Sequence, residues 1–453
     1  MNIYIFVCYI STKNIQIYYD YRQKRTKGID IAGRRDYIGR VDSKSDHSPG
    51  KTTKKSIERK LTMKKITALL LCIAILLSMT ACSPGKSNGE AQTNQTQTET
   101  KSDGKKIKIG YTFPGLTSAG LLGDCKAILD LAAEALDIEI LYNTEFEGTA
   151  ENIIKCTENF IAAGCDGVIV CNYSEASLVN IGKTCEEAGV YWAQFFRTVS
   201  DENIAKQLSN DRYYVGRVHE DEFGATYNMA KAMINKGATN VALIASQHGD
   251  LTYETRAAGY RAAFEEAGVK IVTEEWDVAV DDCTNVATNI LTAFPEVDGF
   301  ALTGAKFAPY VIAAEENLKT GYKTMAGIDF DNTLEKMLKE GSITAIGGGH
   351  HSDPLFALLM VYNAINGAYK EEDFPLDVEN NLIFIESLED YANYNKYVIG
   401  YNEDFYNRQT FTMDEIRNMA ITFNPNTTIE DIRTAASSMS IEDVMTRHGD
   451  LVQ

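Results

Sequence analysis

Apolar positions along this chain change rhythm at Lys106. From there on, short runs of β-branched and aromatic residues alternate with longer stretches in which apolar residues recur every three or four positions. The first rhythm is that of strands, the second that of helices packed on one face. Residues 106–113 predict a strand, 123–136 a helix, 138–142 a strand and 149–163 a helix. Residues 167–171 read GVIVC, the continuous apolar run of a strand buried on both faces. A helix at 178–188 and a strand at 190–196 follow. The beat then restarts. Helices are predicted at 222–236, 255–267, 283–294, 306–317 and 334–340, and strands at 240–245, 269–273, 298–302, 323–328 and 344–348. Alternation this regular predicts parallel sheets built from βαβ units, and two runs of it predict two similar α/β lobes.

Upstream the pattern is different. Residues 1–62 mix an apolar patch at 3–10 with basic, turn-rich segments such as GRRDYIGR, and sustain no periodicity. Lys64 and Lys65 then open an apolar run over 66–79, which suits the core of an export signal and is short for a bilayer span. The run closes on Met79-Thr80-Ala81-Cys82, which is similar to a bacterial lipobox. A signal must lead the nascent chain, so translation is expected to start at Met63. Residues 1–62 are then a non-native upstream extension, 63–81 a lipoprotein signal peptide, and Cys82 a lipidated anchor. Residues 82–105, nearly devoid of apolar side chains, form a flexible linker.

Charge sharpens the division. Residues 1–62 hold 14 Lys/Arg against 6 Asp/Glu, whereas the part from Cys82 onward carries −29 of a whole-chain −19. A domain so acidic is no partner for nucleic acid, which needs concentrated Lys and Arg. Six cysteines follow Cys82 with no CxxC pair and no histidine at metal-ligand spacing, so buried thiols are expected rather than a disulfide framework.

Residues 106 to 385 resemble a type I periplasmic binding protein of the sugar-binding, ribose-like group. NVALIASQHGD followed by Arg256-Ala257-Ala258-Gly259-Tyr260 is similar to that family's strand, glycine loop and helix start. ILTAFPEVDGFAL resembles its helix–turn–strand, Met325-Ala326-Gly327-Ile328-Asp329 its strand end, and Gly164-Cys165-Asp166-Gly167-Val168-Ile169-Val170 its first-lobe strand. The resemblance implies two Rossmann-like lobes joined by three hinge crossings near Arg217, Gly349 and Pro375. The N-terminal lobe would comprise 106–216 plus 349–375, and the C-terminal lobe 217–348 plus 376–399.

It also implies which residues hold ligand. Arg256, placed at a helix start, would reach ligand oxygens with a planar fork of donors. Asp329, directly after a strand, would accept from hydroxyls in the cleft. Arg197 ends the fourth strand, although Phe196 stands where the family carries a carboxylate. Phe113, Phe196 and Trp276 would stack on a ligand face, and His350 would hydrogen-bond at a crossing. Gly304 and Gly349-His350-His351 depart from the expected Asn and Gln, so a simple ribose or galactose pocket is not implied. Adjacent histidines on extended chain point to opposite sides, so His350-His351 implies no metal site. No cofactor is expected. With no G-x-S-x-G, paired-acid or metal constellation, an enzyme is not expected either.

The implied function is capture of a small polar solute, a sugar or relative, for an ABC importer whose permease and ATPase subunits are partners, on a lipid anchor outside the cell membrane. A second reading is a receptor that signals to a membrane histidine kinase. Residues 400–453 form a helical extension, with helix starts after Thr412, Thr428 and Ser440, that either braces a lobe or docks a partner.

Overall fold

The computed structural model describes residues 6–11, 14–19, 106–113, 119–144, 146–330, 333–399 and 410–449. The expected signal peptide, Cys82 and the linker lie outside the described residues. The chain divides into two units, 1–99 and 100–453. In the first, β1 (Phe6–Ser11) and β2 (Asn14–Tyr19) pair as an antiparallel hairpin, which the sequence rhythm did not announce. No helix among the described residues is long and apolar enough to cross a membrane.

The second unit carries two six-stranded sheets. The strands in chain order are β3 (Lys108–Thr112), β4 (Glu139–Asn143), β5 (Gly167–Cys171), β6 (Tyr191–Phe195) and β7 (Tyr214–Glu220). Then come β8 (Asn240–Ile244), β9 (Lys270–Glu275), β10 (Gly299–Leu302), β11 (Thr324–Ile328) and β12 (Ala345–Gly348), and finally β13 (Leu376–Asn380) and β14 (Ile383–Ile385). One sheet runs β4-β3-β5-β6-β7-β13, parallel throughout. The other runs β9-β8-β10-β11-β12-β14, parallel except that β14 pairs antiparallel with β12. These are the two α/β lobes expected from the alternation.

Burial explains the apolar strand runs. All five residues of β5 are buried. Val168 and Val170 turn toward helices Ala150–Ala162 and Glu175–Ala188, while Ile169 and Cys171 turn to the opposite face. That face is covered by helices Ala119–Leu136 and Asp353–Ile365. The second of these was not anticipated. Residues 353–364 are buried all round, so the stretch shows no polar face and no 3.6-residue signal. All six cysteines after Cys82 are buried, and burial pushes the thiols of Cys171 and Cys283 up to about 12.

Two crossings lie away from their expected places. β7 continues the first sheet through Arg217 to Glu220, and the chain enters the second lobe at Asp221, which caps helix Glu222–Asn235. The strand was missed because Gly216, Arg217 and His219 interrupt its apolar run. Gly216, with φ +147°, leaves no room for a Cβ, which would stand 2.0 Å from the Leu376 carbonyl oxygen. Residues 376–380 belong to the first sheet, not the second. They form its edge, with alternating burial, and the third crossing falls between Asn380 and Ile383. Arg217 and His219 hold Asp377 across that edge at 2.7 and 2.9 Å. Burial opposes ionisation of Asp377, yet the hydrogen bonds from His219 and Arg217 keep it well below the usual carboxylate range. The middle crossing passes through Gly349, left-handed at φ +108°.

Helices Met413–Asn418, Ile429–Ser437 and Ile441–His448 start after Thr412, Thr428 and Ser440. They pack on the protein itself: Arg417 donates to the Ala135 carbonyl, Arg433 to that of Asp377, and Asn363 to that of Met419. His351, 1% exposed, meets Thr410 at 2.6 Å. Burial, and then the adjacent His350, push its imidazole down to about 4. The unfolded chain therefore binds the proton first, at the ordinary histidine value of about 6.5. The His351 contribution is fully present above that value and is lost as pH falls through the window down to about 4. Denaturant unfolding should show stability dropping across this window in the wild type, with a shallower drop in His351→Gln. An equal slope in both would contradict the assignment.

Candidate functional site

In a parallel sheet the crevice opens beyond the carboxyl ends of the strands where strand order reverses. Here both reversals, β3 beside β5 and β8 beside β10, lie within one unit. Phe113 follows β3, Phe196 follows β6 and Asp329 follows β11. Two of these end their strands in unusual backbone: Phe196 at φ +76° and Asp329 at φ +83°. A bulky residue in that region is uncommon and costs energy, and such residues concentrate at functional sites.

The side chains form a connected series. Phe113 meets the Phe196 ring edge to face at 5.5 Å, and Phe196 meets the His350 ring in the same manner at 5.7 Å. His350 Nδ1 lies 3.7 Å from Asp329 Oδ1, and Arg256 Nη1 lies 3.9 Å from Asp329 Oδ2. Asp329 is half exposed, while Arg256 and His350 are buried. Five of the seven expected ligand residues therefore stand together.

Arg197 stands nearby in a different role. Its Nη1 donates to Asp250 Oδ2 at 2.8 Å, joining the first lobe to the second. Asp250 also caps helix Leu251–Ala267, accepting from Thr252 N–H. Around this ion pair lies a polar cavity of about 220 Å³, lined by Asn172, Tyr173 and Thr198 from one lobe and Gln247 and Thr252 from the other. Trp276 is not brought to the group. Its ring packs on His248 at 4.9 Å and under the Arg261 guanidinium, at the far edge of the second sheet.

Arg256 differs from expectation in two respects. It is the sixth residue of its helix, not its start, because Asp250 caps the helix six residues earlier. It is also 5% exposed and bound on both sides of its fork: Nε and Nη2 each donate to Glu222 at 2.7 Å, and Nη1 donates to the Thr303 carbonyl at 2.9 Å. What remains of its donor set points toward Asp329. Glu222 was not singled out in the sequence, and neither was Glu220.

Glu220 ends β7 with its side chain fully covered, and its carboxyl faces that of Asp353 rather than an N–H donor. Burial, and then the charges of Asp353 and Glu222, push its carboxyl well above the usual range. Burial raises Asp353 as well, although Asn380 donates to it at 2.6 Å. Glu220, Asp353 and Asn380 belong to the first, second and third crossings respectively. The buried polar cluster thus sits where all three pass.

Two α/β lobes, each opening its strand ends on a shared cleft, define a two-lobed binding protein. Residues 109–360 match the periplasmic binding protein domain family, and the chain belongs to it. Solved structures agree on the fold. A solute-binding protein of an ABC transporter from Actinobacillus succinogenes, with bound D-allose, is 22% identical with a TM-score of 0.56, covering 64% of this chain and 100% of that one. An arabinose-binding protein from Geobacillus stearothermophilus is 19% identical, with a TM-score of 0.54 and coverage of 63% and 98%. A periplasmic sugar-binding protein from Pseudomonas fluorescens is 14% identical, with a TM-score of 0.58 and coverage of 72% and 99%.

The burial of Arg256 generates a stability prediction. Removing one partner of a buried ion pair leaves the other charge uncompensated, at about 3–5 kcal/mol. Arg256→Ala should lower the unfolding free energy by that order, measured by urea denaturation, and Arg256→Met with Glu222→Leu should recover most of it. A fully stable Arg256→Ala would contradict the pairing.

Proposed function

We propose that this chain is a membrane-anchored extracytoplasmic solute-binding protein that captures a small polar ligand, a sugar, between its lobes and delivers it to an ABC importer. The observation that carries the reading is Asp329. Its carboxylate is half exposed at a strand end beside the cleft, backed by Arg256 and His350. A carboxylate so placed accepts from two ligand hydroxyls, while Phe113 and Phe196 offer ring faces and edges to the apolar side of a sugar. The sugars bound by proteins of the same fold, D-allose and arabinose among them, support the ligand class.

The remaining parts of the reading rest on sequence. The lipobox-like ending at Cys82 supports a lipid anchor on the outer face of the cell membrane, with Met63 as the start of the exported chain. An ABC permease and its ATPase subunits are the partners such a carrier serves. The role is binding rather than catalysis, and the helices within 410–449 act as a brace for the first lobe.

Differential scanning fluorimetry against a panel of monosaccharides that includes D-allose and arabinose tests the proposal. At least one sugar should raise the melting temperature, and titration calorimetry should return its affinity. Asp329→Ala should weaken that affinity roughly tenfold to a hundredfold, because hydrogen bonds to a charged group are each worth about 1.5–3 kcal/mol. Asp329→Asn, which tolerates the same backbone at φ +83°, separates the lost charge from backbone strain and should hardly move the melting temperature without sugar. No response to any sugar, or unchanged affinity in Asp329→Ala, would count against the reading.

A further inference from the structure

We infer that Glu220, Glu222 and His350 form a divalent metal site, of the zinc class, at the junction of the first and second crossings. One ligand atom from each lies within 4.8 Å of the other two. Glu220 and Glu222 come from the chain leaving β7, and His350 from the turn after β12, so a metal here would pin two crossings together.

Three observations carry the inference. Glu220 is 4% exposed, and what faces its carboxyl is the buried carboxyl of Asp353 rather than an N–H donor. A buried carboxylate left that way carries a large desolvation cost unless a proton or a cation answers it. Second, Glu220 Oε1 stands 3.4 Å from His350 Nε2. That is long for a hydrogen bond. It matches the spacing of two donors on a tetrahedral zinc, which at about 2.0–2.1 Å from the metal stand roughly 3.4 Å apart. Third, the other ring nitrogen of His350 faces Asp329 at 3.7 Å, longer than a hydrogen bond but on the side from which an outer carboxylate orients a metal-binding imidazole once it closes.

The local charge agrees. Glu220, Glu222, Asp329 and Asp353 face one guanidinium, that of Arg256, and the His350 ring. Glu222 is engaged by Arg256 through both oxygens, yet each carboxylate oxygen keeps a second lone pair for a metal. The adjacent His351 takes no part, since its Nε2 is at Thr410. The histidine pair therefore splits, and the set is one imidazole with two carboxylates, which suits zinc and its neighbours.

Cobalt(II) titration of the chelator-treated exported chain tests the site. One equivalent should bind and give the visible absorption of a four-coordinate ion, displaced by zinc, and zinc should raise the melting temperature. Glu220→Gln, nearly isosteric, should abolish the band, and so should His350→Ala if the first variant fails to fold. Asp329→Asn should weaken binding about 10–100-fold as a positioning residue. His248→Ala, which alters an exposed histidine beside Glu254, should leave the band unchanged. Absence of saturable binding in the wild type, survival of the band in Glu220→Gln, or its loss in His248→Ala would overturn the inference. None of these outcomes bears on sugar capture, which is read from the sugar titrations of the wild type and of Asp329→Ala.

Discussion

A charge taken out of water has to be answered, and in this protein the answer fixes the architecture of the cleft. Arg256 is buried in the second turn of helix Leu251–Ala267, and Glu222 is the first residue of the helix that follows the first crossing. Their two-pronged pairing sets those helices against each other and places the guanidinium 3.9 Å from Asp329. Asp329 is then the acidic member of the group left half open to solvent. The pair positions this carboxylate, the one we propose meets the ligand, and keeps few donors of its own to offer. Its planar, always-charged fork is what a lysine in the same place would not supply.

The hinge obeys the same constraint. Three chain segments pass side by side, and each brings polar atoms that cannot reach water. Asn380 of the third answers Ser352 and Asp353 of the second, while Glu220 of the first lies against His350. On the outside, Arg217 and His219 clamp Asp377 and so hold the edge strand to the sheet. The carboxyl-terminal helices lean on this region: Arg433 reaches the Asp377 carbonyl, and Thr410 meets His351. Glu415 gathers Arg447 and His448 within the same extension, and burial notwithstanding, bonds from His448, the Thr412 backbone and Arg447 hold it down to about 2. The extension is a structural part of the second unit, not an appendage.

Much of this fold was legible because its strands are short and apolar and its helices carry one polar face. GVIVC predicts β5 with no help from tertiary context, and Thr412, Thr428 and Ser440 announce their helices by capping chemistry. Elements at the limits of those rules were lost. Helix Asp353–Ile365 is too uniformly apolar to show a period, and β7 and β13 are interrupted by the charged residues that join them to each other. The site was legible where a single residue follows a strand, as with Asp329, Phe113 and Phe196. It was not legible where partners come from separate crossings. Glu220, Glu222 and Asp250 act through residues distant in sequence, and only the topology brings Glu220 to His350 or Asp250 to Arg197. Trp276 shows the converse error, an aromatic after a strand that packs on the outer edge of its own lobe.

The central claim is that two lobes close on a polar ligand about these three crossings. Contacts made by both lobes shift the equilibrium only by the ligand's differential affinity for the closed state. Small-angle X-ray scattering of the chain from Cys82 onward, with and without a saturating amount of a stabilising sugar, measures this directly. A smaller radius of gyration in the presence of the sugar is the expected result, and an unchanged radius at saturation would contradict it.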